Sequence, residues 1–196
     1  MEKKYELIVS GIKHGGRTLY SVRALKDFAD VYAGEIGGLV ESEDNLSQEG
    51  DCWIYAGMVW GEARIYDDAK VHDCQISDNA QIYGDALVVA SFVRGNAKVF
   101  GGKVFSATVE GNAEVYDKAQ IHGVDGYEKE TRVSGDAQVY GRATIEPFSQ
   151  ISGKAVVHGD ARVFAKIGGR AEISGNARVM DDTYDGHIIG MTYRLA

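Results

Sequence analysis

Gly61-Glu-Ala-Arg-Ile-Tyr-Asp-Asp-Ala-Lys-Val71 states one phrase twice: Gly or Asp, any residue, Ala, any residue, then Val or Ile. The phrase occurs thirteen times between Gly61 and Val179, with clean copies at Gly95–Val99, Gly135–Val139 and Gly175–Val179. Ala and Val stand two residues apart, so on a strand they point to the same side. The residue between them is Arg64, Lys98, Glu114, Gln138 or Glu172 in different copies, and so faces water. The Gly before each unit supplies left-handed turn backbone. Asp67, Asp78 and Asp117 stand in that place elsewhere, and Asp is one of the few side chains that tolerates it. The Asp and Asn residues that follow are expected to hydrogen-bond turn backbone.

The anchors Ile54, Val59, Ile65, Val71, Ile76, Ile82, Val88, Val93, Val99, Val104, Val109, Val115 and Ile121 advance in steps of five or six residues. Three units make roughly 17 residues, one triangular turn of three short strands. After a break the anchors resume at Val133 and run to Val179. The expectation is an all-β parallel β-helix of about seven coils. It divides as a cap over 1–49, the helix over 50–180 with an irregular segment 123–132, and a second cap over 181–196.

Both open ends need covering, because exposed strand edges invite pairing. Tyr5–Val9 and Thr18–Ala24 read as a β-hairpin around Gly11–Gly16, and Ile188–Leu195 as a closing strand. Residues 123–132 fill a gap equal to two units, either a degenerate coil or a projecting loop. Cys52 and Cys74 occupy Ala positions and read as reduced thiols inside the coil.

Net charge of −8 argues against general nucleic-acid binding, which needs a basic face to displace counterions. No apolar run reaches the length of a membrane span, and the N-terminus lacks a signal peptide's apolar stretch, so the chain reads as cytoplasmic. No metal-ligand spacing, phosphate loop or dinucleotide fingerprint occurs, and no cofactor is expected.

An interior filled by Ala, Val and Ile leaves no room for a ligand, so function must sit on the outer faces. The residue after each anchor points outward, and every third unit shares a face. One face carries Tyr66, Tyr83, Phe100 and Tyr116. This stripe is a stacking ladder, a self-association or partner surface, or a ligand platform. A second face carries Tyr55, His72, Val89, Phe105 and His122, continuing to Tyr140 and His158 if the break counts as one unit. Its histidines are too far apart to share a metal, with His72 and His122 about 14 Å apart across three coils. Singly, each could serve as general base in an acyl transfer, a task for which imidazole as a group is suited. His122 is the candidate catalytic residue because it abuts the irregular segment.

Val or Ile followed four positions later by a small residue resembles the hexapeptide-repeat left-handed parallel β-helix, and the handedness comes from that resemblance. Asp27-Phe-Ala-Asp-Val-Tyr-Ala-Gly34, Gly37-Gly38 and Asn45-Leu-Ser-Gln-Glu-Gly-Asp-Cys-Trp-Ile-Tyr55 look like the opening of the YdcK-type β-helix proteins of bacteria and phages. Those are labelled transferases by fold, with no established motif to carry over. Two functions stay open. The first is a non-catalytic, homo-oligomeric scaffold that binds a protein or small molecule through an outer face. The second is an acyltransferase using acetyl-CoA or another acyl-CoA at a site between subunits. The C-terminal helix common in such enzymes has no counterpart in the sequence.

Overall fold

A computed structural model describes residues 2–124, 130–190 and 192–193. The chain is an all-β parallel solenoid of about nine turns, with one 3-10 turn among the described residues, at Glu43–Asn45. The repeat dictates the cross-section. Each Ala and each Val or Ile of the phrase is fully buried, from Ala63 and Ile65 to Ala177 and Val179. The backbone between them bonds to the next coil, as in Gln81 N–H to Ala97 O and Lys98 N–H to Ala113 O, both 2.9 Å. Coils therefore stack in parallel register, Val on Val and Ala on Ala.

Three faces result. The hairpin face runs through Ile36–Val40, Gly57–Val59, Cys74–Ile76, Phe92–Val93, Ala107–Val109, Thr131–Val133, Gln150–Ile151 and Lys166–Ile167, and ends at an isolated bridge to Thr183. The ring face runs from Arg64–Ile65 through Gln81–Tyr83, the start of Lys98–Phe105, the start of Glu114–His122, Gln138–Val139, Val156–Val157 and Glu172–Ser174 to His187–Ile189. The third face runs from Trp53–Ile54 through Lys70–His72, Leu87–Val89, the ends of the two long strands, Thr144–Ile145 and Arg162–Val163 to Arg178–Val179 and Thr192–Tyr193.

The coil count exceeds the seven read from the anchors because both ends join the stack without the phrase. Ile36–Val40 already pairs in parallel with Gly57–Val59, and Leu46 bridges to Ile65. Past Val179, His187–Ile189 and Thr192–Tyr193 add one rung each to two different faces, in place of a single closing strand. The end of that expected strand, 194–195, lies outside the described residues.

The hairpin is longer and tighter than expected. Strand β1 (Tyr5–His14) pairs antiparallel with β2 (Arg17–Ala24), and a register shift between Val9 and Lys13 absorbs Gly11. Only Gly15 and Gly16 turn, both with positive φ, as a two-residue hairpin turn requires. β2 then pairs with Ile36–Val40, so the hairpin extends the hairpin face. Lys4, at its root, is buried and donates to the carbonyls of Glu49, Gly50 and Cys52, which closes the N-terminal end of the coil.

The turn chemistry is as read, with one change. Asp67, Asp78 and Asp117 adopt φ near +60°, and each carboxylate accepts the N–H of a glycine one coil on: Gly84, Gly95 and Gly141. The following Asn residues bond one another along the axis instead of turn backbone. Asn79, Asn96, Asn112 and Asp136 form a chain of amide contacts at 2.8–2.9 Å, because their side chains are one rung apart. Cys52 and Cys74 are free, buried thiols; burial raises both, Cys74 to about 11.

Val109 pairs directly with Val133. Val133 is thus the next rung of the hairpin face after Val109, with no extra rung between them. Residues 125–129 of the irregular segment lie outside the described residues.

Candidate functional site

That missing rung changes which side chains share a face. Val115 pairs with Val139, so Tyr140 follows Tyr116 on the ring face. Ile121 pairs with Ile145, so His122 is followed by Glu146 on the third face. The expectation that Tyr140 and His158 share a column with His72 and His122 is therefore overturned. They lengthen the aromatic stripe.

The stripe is one stack of six rings. Tyr66–Tyr83, Tyr83–Phe100, Phe100–Tyr116, Tyr116–Tyr140 and Tyr140–His158 have centroids 4.7, 5.1, 4.7, 4.7 and 4.8 Å apart, with planes within 11° of parallel. Five rung steps of about 4.8 Å make it on the order of 24 Å long. Each ring covers its neighbours' faces, so the stack shows water its edges and hydroxyls. Burial first, and then the adjacent phenol, holds the Tyr66 and Tyr116 hydroxyls above the usual phenol range. Ligand stacking on ring faces is thereby confined to the ends. At the N-terminal end Ser47 occupies the register of Tyr66, and a cavity of about 800 Å³ opens there between Ser47, Arg64, Tyr66 and Gln81.

Beside the rings runs a row of strand residues: Arg64, Gln81, Lys98, Glu114, Gln138, Val156 and Glu172. Its cations lie in the N-terminal half and its anions from Glu114 onward. Within the chain, Lys98 Nζ is 3.4 Å from Glu114.

The third face holds pairs instead of a run. His72 stacks on Tyr55 at 4.1 Å. The Tyr55 hydroxyl and the Lys70 ammonium both donate to Asp30 Oδ1 at 2.6 Å. The Lys70 bond, and then the Tyr55 bond, hold the Asp30 carboxyl down at about 2. Partial burial lowers the His72 imidazole. After Val89, Phe105 and His122 form a second stacked pair at 5.7 Å. His122 Nε2 lies 3.2 Å from Gln120 Oε1 on its own strand. Its partner is a neutral amide, with no carboxylate in contact among the described residues.

The ring stack ends at a group that the sequence reading does not single out. His158 Nε2 lies 3.1 Å from Glu172, whose other oxygen meets His187, and His187 in turn reaches Ser174. The only sequence signal is Ser174 itself, a small polar residue where six preceding copies place a ring. His187 stands past the last copy of the phrase, where counting rungs fails.

Two comparisons with known proteins fall on this solenoid. The family model "YdcK Beta solenoid repeat" matches residues 80–96. Those residues carry one complete turn: Gln81–Tyr83, Leu87–Val89 and Phe92–Val93. This turn is similar to a YdcK-type repeat. The chain is also 32% identical to "Uncharacterized acetyltransferase YdcK" of Escherichia coli (strain K12), over a 79-residue alignment that takes in 30% of this chain and 24% of the relative. The match thus covers about a quarter of that protein. Among the described residues no helix is long and apolar enough to cross a membrane.

Proposed function

We propose that this YdcK-type solenoid is an interaction scaffold whose ring face docks a second copy of the chain. The six-ring stack carries the proposal. Pairwise stacking stabilises any coil that has it, but an unbroken run presents one flat, amphipathic strip with hydroxyl edges, the composition enriched at protein contacts. The flanking charges favour a second copy over an unrelated partner. A two-fold axis between Phe100 and Tyr116 sets the six rungs against themselves in reverse order. It brings Lys98 of one copy opposite Glu114 of the other and Gln81 opposite Gln138. Such self-complementarity is what a two-fold interface requires.

Light scattering tests this. The wild type is expected to have twice the chain mass, and Tyr83→Glu/Phe100→Glu the single mass with an unchanged β spectrum. A monomeric wild type overturns the proposal, and a double variant that stays dimeric moves the interface to another face.

A second reading is favoured by the name of the E. coli relative: acyl transfer from acetyl-CoA, with His122 as general base beside segment 123–132. Acetyl-CoA added to the same preparations separates the two, since a ligand that binds the native state raises its melting temperature. Free thiol released to an acceptor, and lost in His122→Ala, would support it.

A further inference from the structure

Ser174, His187 and Glu172 meet in the arrangement of a nucleophile, its base and the carboxylate that orients the base. Ser174 Oγ is 3.4 Å from His187 Nε2. His187 Nδ1 is 3.2 Å from Glu172 Oε2. With Nδ1–H donating to Glu172, the Nε2 lone pair is free to accept the Ser174 hydroxyl proton. The other carboxylate oxygen, Oε1, lies 3.1 Å from His158 Nε2, so a second imidazole braces the same carboxylate.

The local fold puts these groups together. Glu172–Ser174 and His187–Ile189 are adjacent parallel strands with Glu172 opposite His187 and Ser174 opposite Ile189. The two side chains on the shared outer face must therefore touch, and the imidazole reaches two residues along the strand to the hydroxyl. Ser174 ends its strand and opens a tight turn closed by Ala177 N–H to Ser174 O, with Gly175 at φ +65°. In that turn the N–H groups of Gly175 and Asn176 have no hydrogen-bond partner among the described residues. They are the donors available to a developing oxyanion. Ile189, 59% exposed beside Ser174, offers an apolar rest for a short acyl chain.

We propose that Ser174, His187 and Glu172 form an acyl-transfer site that hydrolyses carboxylic esters of small acyl groups. Ser174 Oγ attacks the ester carbonyl carbon while its proton passes to His187 Nε2. The ester C–O bond breaks, and His187 returns that proton to the leaving alcohol, which leaves an acyl-serine. Water then attacks the acyl carbon and gives its proton to His187, the bond to Ser174 breaks, and the carboxylic acid departs as Ser174 recovers the proton. Ser174 and His187 are the catalytic residues; Glu172 positions His187, and His158 positions Glu172. The site lies at the last rungs of the ring face and does not depend on the docking proposal.

The probe is a fluorophosphonate, with p-nitrophenyl acetate as turnover substrate. The wild type is expected to take one phosphonyl group, mapped by peptide mass spectrometry to Ser174. It should also release p-nitrophenolate at a rate that falls by at least about 10²-fold in Ser174→Ala and in His187→Gln. Glu172→Gln should abolish the downfield imidazole N–H resonance of His187 and lower kcat with KM unchanged, a split that a purely structural role would not give. No adduct, an adduct on another residue, or turnover in Ser174→Ala equal to wild type would overturn the site. The mapping uses wild-type protein, so it decides the matter even where a variant fails to fold. Retention of labelling in the Tyr83→Glu/Phe100→Glu protein separates this site from the docking face.

Discussion

The ring face and the third face are built from the same repeat, yet one holds six stacked rings without a break and the other only two separate pairs. Both columns occupy the position after the buried anchor, where coils about 4.8 Å apart place like side chains in contact. Stacking is therefore what any two rings on adjacent rungs will do. Tyr55–His72 and Phe105–His122 do it as the ring face does. Val89 and Glu146 break the third face at no cost to the coil, since Val88 and Ile145 beneath them stay fully buried. Fold stability thus does not require a ring at every rung. An unbroken run on one face alone points to a demand from outside the coil.

The largest expected effect lies beneath both columns and should not distinguish them. Val99 under the ring face and Val104 under the third face are both fully buried. Val99→Asp and Val104→Asp should each cost about 4 kcal/mol or more, since each buries a charge with no partner. Lys98→Asp, one residue from Val99 but half-exposed, loses its contact with Glu114 and should cost about 1 kcal/mol or less. Thermal melts check the three together. Tolerance of either buried Asp would break the inward register on that face.

The comparison sharpens one layer out. Phe100 stacks on Tyr83 and on Tyr116, whereas among the described residues Phe105 stacks on His122 alone. At about 0.5–1.5 kcal/mol per ring pair, Phe100→Ala should lose roughly twice the stacking contribution of Phe105→Ala. Denaturant melts of monomeric protein, in the Tyr140→Glu background, measure this without any contribution from docking. Equal losses would mean that the second stacked neighbour of Phe100 adds nothing to its contribution.

Val, Ala and Gly at fixed spacing made the coil legible, because an interior two side chains deep admits little else. Tyr66, Tyr83, Phe100 and Tyr116 were legible as one face for the same reason. Tyr140 and His158 were misplaced because a step of twelve residues from Ile121 to Val133 fits either an extra strand or none, and only the pairing of Val109 with Val133 decides. Ser174 and His187 meet because the solenoid continues past its own phrase. Spacing cannot show that where backbone pairing, and no further copy of the phrase, builds the rung.

The smallest expected effect concerns what holds the first rungs of the third face. There a carboxylate on the lead-in turn, Asp30, ties down Tyr55 and Lys70, while the ring face at the same level relies on uncharged stacking. Asp30 has its folded-state pKa lowered to about 2. A lowered carboxylate contributes stability that is fully present above its unfolded value, near 3.9, and lost as pH falls through the folded one. Asp30 is exposed, so solvent screens the contribution to less than about 1 kcal/mol. Asp30→Asn should therefore melt slightly below wild type at pH 7 and at pH 5. The gap should narrow below pH 4 and close near pH 2. Phe100→Ala should show a gap that does not change over the same range, since the phenyl ring it removes carries no proton to gain or lose. A gap for Asp30→Asn that persists at pH 2 would assign its role to packing of the turn, and the two faces would then differ in extent of stacking but not in kind of force.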